Sequence, residues 1–481
     1  MPLRVLFASS EAVPFAKTGG LADVAGALPK ALAALGHDVR LILPAYRAIG
    51  AEIETRKLGP PWEVRLGPRS VSVTIKASGA LEGVTTYLVD CPEFFDRDTL
   101  YGQPDDAERF ALFCRATLEF VRQGKWKPQV IHSNDWQTGL IPVMLKTEYA
   151  GDSGLASIGT LHTIHNLAYQ GIFERSVLAK VVLDESLFAM DKLEFYGQVN
   201  YLKGGLVFAD MLNTVSKTYS QEIQTPEYGA RLDGVLAQRR ADLFGILNGI
   251  DYDEWNPATD KLIEARYDAR TVAAKAKNKA ALQRRYKLPV REDVPLFGLV
   301  SRLAAQKGLD LLAEALVHLM RLDVQFAILG TGEPQYHELL SGLAARYDDK
   351  MGVALTFDNP LAHQVYAGAD MFLMPSHYEP CGLGQMISLR YGTIPIVRRT
   401  GGLADTVEDY NAESGNGTGF VFEERSPLAL MGAMARGMLT IKTKPAWDKL
   451  VQNAMAVDFS WNRSAAQYVD LYQRVIDRHG G

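Results

Sequence analysis

The feature that most constrains this chain is a repeated alternation of short apolar, β-rich runs with amphipathic helical stretches, carried from the first residues to beyond position 400. Continuous apolar runs mark parallel strands buried on both faces, and the helices between them are the crossovers. The opening unit is the clearest. Arg4–Ala8 reads as a buried strand, and Leu21, Val24, Ala25, Leu28, Leu32 and Leu35 recur at helical spacing. Gly36 is placed to cap that helix, and Val39–Leu43 is the next strand. Pro29 inside the helix is expected to kink it. Further strands are expected at Gln129–His132, Gly159–Thr163, Met211–Thr214, Leu296–Val300, Gln325–Leu329, Met371–Met374 and Thr393–Val397. The fold class is therefore α/β. A length of 481 residues exceeds what one core supports, so two domains are expected.

The boundary falls near Asn248-Gly249-Ile250. Beyond it, from about 253 to 293, the chain turns polar and helical, and Ala273–Arg285 predicts a peripheral helix. Ser460–Ile476 is again amphipathic, with Val469, Tyr472, Val475 and Ile476 on one side. Thr18–Asp23 and Thr400–Asp405 are the same six residues, Thr-Gly-Gly-Leu-Ala-Asp, which reads as one local device used twice.

Composition narrows the function. A formal net charge of -5 gives no electrostatic case for nucleic acid as a partner. Cys91, Cys114 and Cys381 form no spaced pair and suit a reducing compartment. No segment is long enough to span a bilayer, and the chain runs into a strand directly after Met1-Pro2-Leu3. A cytoplasmic protein without membrane contact is the expectation.

Several motifs stand at strand ends. Lys17-Thr18-Gly19-Gly20 lies between a strand and a helix start, where glycines admit a ligand to the backbone and amides favour an anion. A glycine turn with a solvated lysine is the plain alternative. It matches neither the dinucleotide fingerprint nor a P-loop. Ser376–Leu383 follows Met371–Met374 and opens a helix over Gly382–Tyr391. A diphosphate at that helix start, with Glu379 three residues upstream, suits a glycosyl donor that leaves as a nucleotide diphosphate; alternatively, Glu379 caps the helix. Arg302 and Lys307 follow Leu296–Val300, the place where α/β sheets bind ligands, with a fork and a point charge for phosphate. His132-Ser133-Asn134-Asp135-Trp136, His165-Asn166 and Asn248 could bond sugar hydroxyls. Asp251-Tyr252-Asp253 imitates an Asp-x-Asp metal motif but lies in a turn and is taken as a decoy, and no His/Cys spacing suggests zinc.

Together, Lys17-Thr18-Gly19-Gly20-Leu21, His165-Asn166-Leu167-Ala168-Tyr169-Gln170-Gly171, Asn248-Gly249-Ile250-Asp251, Ser301-Arg302-Leu303 with Lys307-Gly308, Glu379-Pro380-Cys381-Gly382-Leu383 and Arg398-Arg399-Thr400-Gly401-Gly402-Leu403 resemble the bacterial glycogen synthases, in order along nearly the whole chain. The family is similar to plant starch synthases. The resemblance implies two Rossmann-like domains facing across a cleft (the GT-B architecture): residues 1–248 on the acceptor side, residues 249–458 on the nucleotide-sugar side, and a helix over 459–481 that crosses back. It implies ADP-glucose as donor, the non-reducing end of glycogen or another α-1,4-glucan as acceptor, and retention of configuration, by a β-face nucleophile or by same-face attack.

By the same resemblance, Arg302 and Lys307 take the distal phosphate, helped by Lys17, the glycines Gly19 and Gly20, and the amides of Gly382 and Leu383. Glu379 serves the reacting glucose. Asp135, His165, Asn166 and Asn248 hold its hydroxyls or the transition state. The protein cations make a metal unnecessary, and no pyridoxal phosphate is expected. Gly384 departs from the pattern, where a hydroxyl or larger residue is expected. Three rivals remain: a glucan phosphorylase, which needs pyridoxal phosphate on a lysine; a non-catalytic glucan-binding protein, which has no need of Lys17, Arg302, Lys307 and Glu379; and a nicotinamide oxidoreductase, whose glycine fingerprint is missing.

Overall fold

The computed structural model of the protein describes residues 2–480. The chain forms two compact units. One runs to Gly249 and takes in the chain from Trp461 onward; the other is Ile250–Ser460.

The first unit is built on a ten-stranded sheet. Its strands Leu243–Gly245, Met211–Thr214, Gly159–Ile164, Val130–Asn134, Arg4–Ala8, Asp38–Pro44 and Thr85–Asp90 lie side by side in that order, all parallel. Arg69–Ser78 continues the sheet antiparallel, and Arg56–Lys57 and Trp62–Leu66 both pair with it. Strand side chains alternate between two cores. Leu6, Ala8 and Ile42 face one with Phe110, Phe113 and Leu140. Val5, Phe7, Leu41 and Leu43 face the other. The helix Gly20–Ala34 belongs to the second core and continues through Pro29. It ends on Gly36, whose φ of 90° lets the His37 amide reach back to the Leu32 carbonyl. The last helix, Trp461–Gly480, packs Trp461, Ala465, Tyr468, Tyr472 and Val475 into that core.

In the second unit six parallel strands follow the order Met351–Ala354, Gln325–Leu329, Leu296–Val300, Met371–Met374, Ile394–Arg398 and Phe420–Phe422. Numbered along the chain, that is the doubly wound 3-2-1-4-5-6 order. The helix expected over Ala273–Arg285 runs Lys275–Arg285 and is less peripheral than its composition suggests. Asn278, Lys279, Leu282 and Gln283 are buried. The Lys275 ammonium donates to the carbonyls of Tyr366 and Ala367 and to Thr393 Oγ1, capping the end of the helix Asn359–Gly368. Burial pulls its pKa down to about 7. Lys275 and Lys279 thread long stems into the fold, while Lys277, Arg284 and Arg285 keep the solvated face that the composition predicts.

Both sheets place the first strand in chain order beside the fourth of the parallel set, where the direction of winding across the sheet reverses. Ligands bind at the carboxyl ends of strands at such a switch point. In the first unit these ends belong to Arg4–Ala8 and Val130–Asn134; in the second, to Leu296–Val300 and Met371–Met374.

Candidate active site

At the switch point of the second unit, two loops are stitched together. Gln306 accepts from the His377 amide and donates to the Tyr378 carbonyl. Gly308 sits so close under Pro375 that a Cβ would lie 2.0 Å from its carbonyl oxygen. The result is a close ion pair: Lys307 Nζ is 2.9 and 2.7 Å from the two oxygens of Glu379, and Ser376 Oγ donates to the same carboxylate at 2.9 Å. The pair is largely desolvated, with side-chain exposures of 17% and 7%. Glu379 therefore does not serve as a cap for the helix Gly384–Arg390, whose amino end has no side-chain cap. Its carboxylate is turned to the loop that carries the cations. Arg302 belongs to that loop and is exposed.

The segment Arg398–Gly402, a motif to which the sequence alone assigns no role, holds this loop in place. Arg398, buried at the end of its strand, donates from Nε to the Ser376 carbonyl and from its terminal nitrogen to the His377 carbonyl. His377 is held between Asp310, at 2.8 Å, and Arg425. Gly402 donates its amide to the Glu379 carbonyl at 3.0 Å. Gly401 has φ of 44°, and a Cβ there would come within 1.9 Å of the same carbonyl. Gly384 has a local reason for lacking a side chain: a Cβ would meet the Phe372 ring at 3.0 Å and the Tyr366 hydroxyl at 3.3 Å. Cys381 is buried. Asp251 closes a turn by accepting from the Asp253 amide, and among the described residues no group of three or more His, Cys, Asp or Glu is placed to hold a metal ion.

At the switch point of the first unit, the loop Lys17–Gly20 already has an anion. Glu11 is buried, and its carboxylate accepts from the Thr18 amide and, at 2.8 Å, from the Thr18 hydroxyl. Burial raises its pKa and the Thr18 bonds lower it, leaving a net rise. Lys17 is paired with Asp23 at 2.6 Å.

Across the sheet, Asp135 follows its strand with φ of 56°, an unusual value for a residue with a side chain. The bend turns its carboxylate onto the His165 amide at 2.7 Å. Burial pushes the Asp135 pKa up to about 7, against the lowering by the amides of His165 and Asn166. His165 is neutral, its pKa held down to about 3 by burial. Its Nε2 meets Asn134 Oδ1 at 2.9 Å, while the Asn134 amide nitrogen donates to the Ala8 and His132 carbonyls. Nε2 must then carry the proton, and Nδ1 is a bare acceptor for a hydroxyl. Asn166 closes a turn on the Ala168 amide. Asn248 is buried with Oδ1 lacking a partner.

His132 turns inward instead: it is fully buried, with Tyr472 on Nδ1 and Thr163 on Nε2, and ties the final helix to the sheet.

Residues 4–238 match the starch synthase catalytic domain family, and residues 282–449 match the group 1 glycosyl transferases. A glycogen synthase of Moorella thermoacetica is 50% identical over 99% of this chain and 98% of its own. That of Thermotoga maritima is 47% identical over 99% and 100%. Among solved structures, the catalytic domain of starch synthase IV from Arabidopsis thaliana, bound to ADP and acarbose, has a TM-score of 0.93 at 36% identity, covering 99% of this chain and 100% of its own. A sucrose-phosphate synthase from Thermosynechococcus elongatus shares the fold, with a TM-score of 0.61 at 21% identity over 99% of both chains.

Proposed function

This chain belongs to the glycogen and starch synthase family of GT-B glycosyltransferases, and from that premise we propose that it transfers glucose from ADP-glucose to the non-reducing end of an α-1,4-glucan, with retention of configuration. The observation that carries the reading is the Lys307–Glu379 pair, a desolvated cation and carboxylate at the switch point of a doubly wound sheet. Breaking the glucose–phosphate bond puts positive charge on the sugar and negative charge on the departing ADP, and groups of opposite sign fixed in advance at both centres lower that barrier.

On the second unit, Arg302 and Lys307, with the amides of Gly382 and Leu383, take the distal phosphate. Glu379 faces the reacting sugar, held by Ser376. An arriving phosphate competes with Glu379 for Lys307. As the ammonium turns to phosphate, the carboxylate loses its counter-charge and favours the cationic sugar more strongly. On the first unit, Lys17 with the backbone at Gly19 and Gly20 is assigned to the donor phosphates. Lys17 must leave Asp23 to do so. His165 Nδ1 accepts from a sugar hydroxyl, and Asp135, Asn166 and Asn248 complete the polar contacts. These cations offset the diphosphate charge, so turnover is expected to be independent of divalent metal and to survive excess chelator. The reaction calls for no pyridoxal phosphate, and a cytoplasmic location belongs to the same reading.

The deciding experiment is glucose incorporation into glycogen from ADP-glucose and UDP-glucose in parallel. Preference for ADP-glucose supports the proposal; a preference for UDP-glucose overturns the donor assignment, and no transfer from either overturns the activity.

A further inference from the structure

In the first unit the strands Glu194–Phe195 and Gln198–Asn200 are joined by a two-residue turn, Tyr196-Gly197. Both turn residues have positive φ, 50° and 81°. This is the primed hairpin geometry, in which the first position is ordinarily Asn, Asp or Gly. A tyrosine there is strained, since its Cβ crowds the backbone. Burial does not compensate, because Tyr196 is 70% exposed. Folding alone would place glycine or asparagine at this position.

The surroundings fix the ring without covering it. Phe195 meets it edge-on at 4.9 Å, and the Arg231 guanidinium lies over it at 5.3 Å. Arg231 and its neighbour Ala230 also have positive φ, 67° and 47°. The Ala230 carbonyl accepts from Gln170 Nε2 at 3.0 Å, and Gln170 Oε1 accepts from Asn200 Nδ2 at 2.6 Å. Gln170 lies in the loop that leaves His165, beside the exposed Tyr169. Two more strained non-glycine residues, Ala230 and Arg231, thus stand beside this solvent-facing ring, tied by side-chain hydrogen bonds to the loop of a candidate site residue. Strain of this kind persists where a ligand is gripped.

We propose that Tyr196 is a stacking platform for a glucosyl unit of the α-glucan acceptor, with Arg231 steadying the ring and donating to sugar hydroxyls. A pyranose presents a face of C–H bonds that packs on an aromatic ring and a rim of hydroxyls that accept from a guanidinium. The assignment rests on the glucosyl-transfer reading above.

The test uses Tyr196→Gly, Tyr196→Asn and Tyr196→Phe in the full chain, with kcat and the KM values for glycogen and ADP-glucose beside thermal melts. Glycine and asparagine both enter the left-handed region, so these variants should melt at or above the wild-type temperature. Both should raise the KM for glycogen about tenfold, the loss of one aromatic contact, with kcat and the KM for ADP-glucose unchanged. Tyr196→Phe keeps the ring and should stay close to wild type. Retardation in native gels containing glycogen should fall in parallel. An unchanged glycogen KM in Tyr196→Gly overturns the platform, as does a lowered melting temperature in both Gly and Asn variants, which would make the ring a structural element. Absence of any transfer by the wild type would instead overturn the underlying activity.

Discussion

The hexapeptide Thr-Gly-Gly-Leu-Ala-Asp occurs once in each unit, at Thr18–Asp23 and Thr400–Asp405, and each copy grips a glutamate in a different way. The first opens the helix Gly20–Ala34 and holds Glu11 by its carboxylate, through the amide and hydroxyl of Thr18. The second opens the helix Gly401–Thr406 and holds Glu379 by its main chain, through the Gly402 amide. Where the side chain is held, the carboxylate is occupied. Where the backbone is held, the carboxylate is left free of the hexapeptide and pairs instead with Lys307 and Ser376. Identical residues stabilise a loop in one place and present a charge in the other, and the difference lies in what the preceding chain brings to the glycines.

The sharpest way to break this contrast is to remove the presented charge. Glu379→Gln should lower kcat about 10²–10³-fold, the usual loss for one electrostatic contact made in the transition state. Donor binding should move the other way: with its carboxylate partner gone, Lys307 is free for phosphate, and ADP should bind about three- to tenfold tighter by calorimetry. Near wild-type turnover would reduce Glu379 to a structural residue, and an unchanged ADP affinity would show that Lys307 is not shared.

The glycines give the next largest effect. Gly401→Ala places a Cβ 1.9 Å from the Glu379 carbonyl at a φ of 44°, so it should cost about 3 kcal/mol or more in urea melts. The matched Gly19→Ala meets only Glu11 Oε1 at 3.8 Å and should stay within about 1 kcal/mol. Equal costs would mean that the two copies bear on their glutamates alike.

Asp135→Asn probes the first unit through pH. The native carboxyl, raised to about 7 from its ordinary 3.8, contributes stability fully present below pH 4 and lost as pH rises through 7. Above that range the buried charge burdens the fold, and the amide removes it. The melting temperature of the variant should exceed wild type by a few degrees at pH 8, with a smaller margin at pH 5. An equal margin at both would place the titration elsewhere.

The smallest effect belongs to Glu11→Gln. The amide oxygen still accepts from Thr18, so turnover should stay within about threefold of wild type. A collapse comparable to that of Glu379→Gln would end the distinction between an occupied and a presented carboxylate.

What the sequence made legible follows from the kind of signal each element carries. Continuous apolar strands such as Leu296–Val300, Gln325–Leu329 and Met371–Met374 have the expected bounds because burial on both faces leaves no ambiguity of pattern. The strand Arg69–Ser78 shows alternation instead, with Val71, Val73 and Ile75 inward, so its signal lies at period two and not in a continuous apolar run. Lys307 and Glu379 are each legible as motif residues, but their contact depends on how two loops distant in sequence dock. The glycine loop Lys17–Gly20 signals a carboxylate or phosphate partner, and only the fold shows Glu11 in that place. His132 and His165 look alike in sequence, both at strand ends. In the structure His132 lies inside the strand Val130–Asn134 and turns to Tyr472 in the core, while His165 stands just beyond Gly159–Ile164 and meets Asn134. Tyr196 carries no motif at all, and its distinction is a backbone angle.

The final helix has a consequence for how the protein comes into being. His132 waits for Tyr472 and Asn213 for Tyr468, partners made only after the whole of Ile250–Ser460 has been synthesised. On the ribosome the later unit has all of its chain before the earlier one does, so the order of completion reverses the order of translation. Until the last helix docks, the face formed by Val5, Phe7, Leu41 and Val130 stays partly uncovered. The nascent first unit is the one that needs shelter.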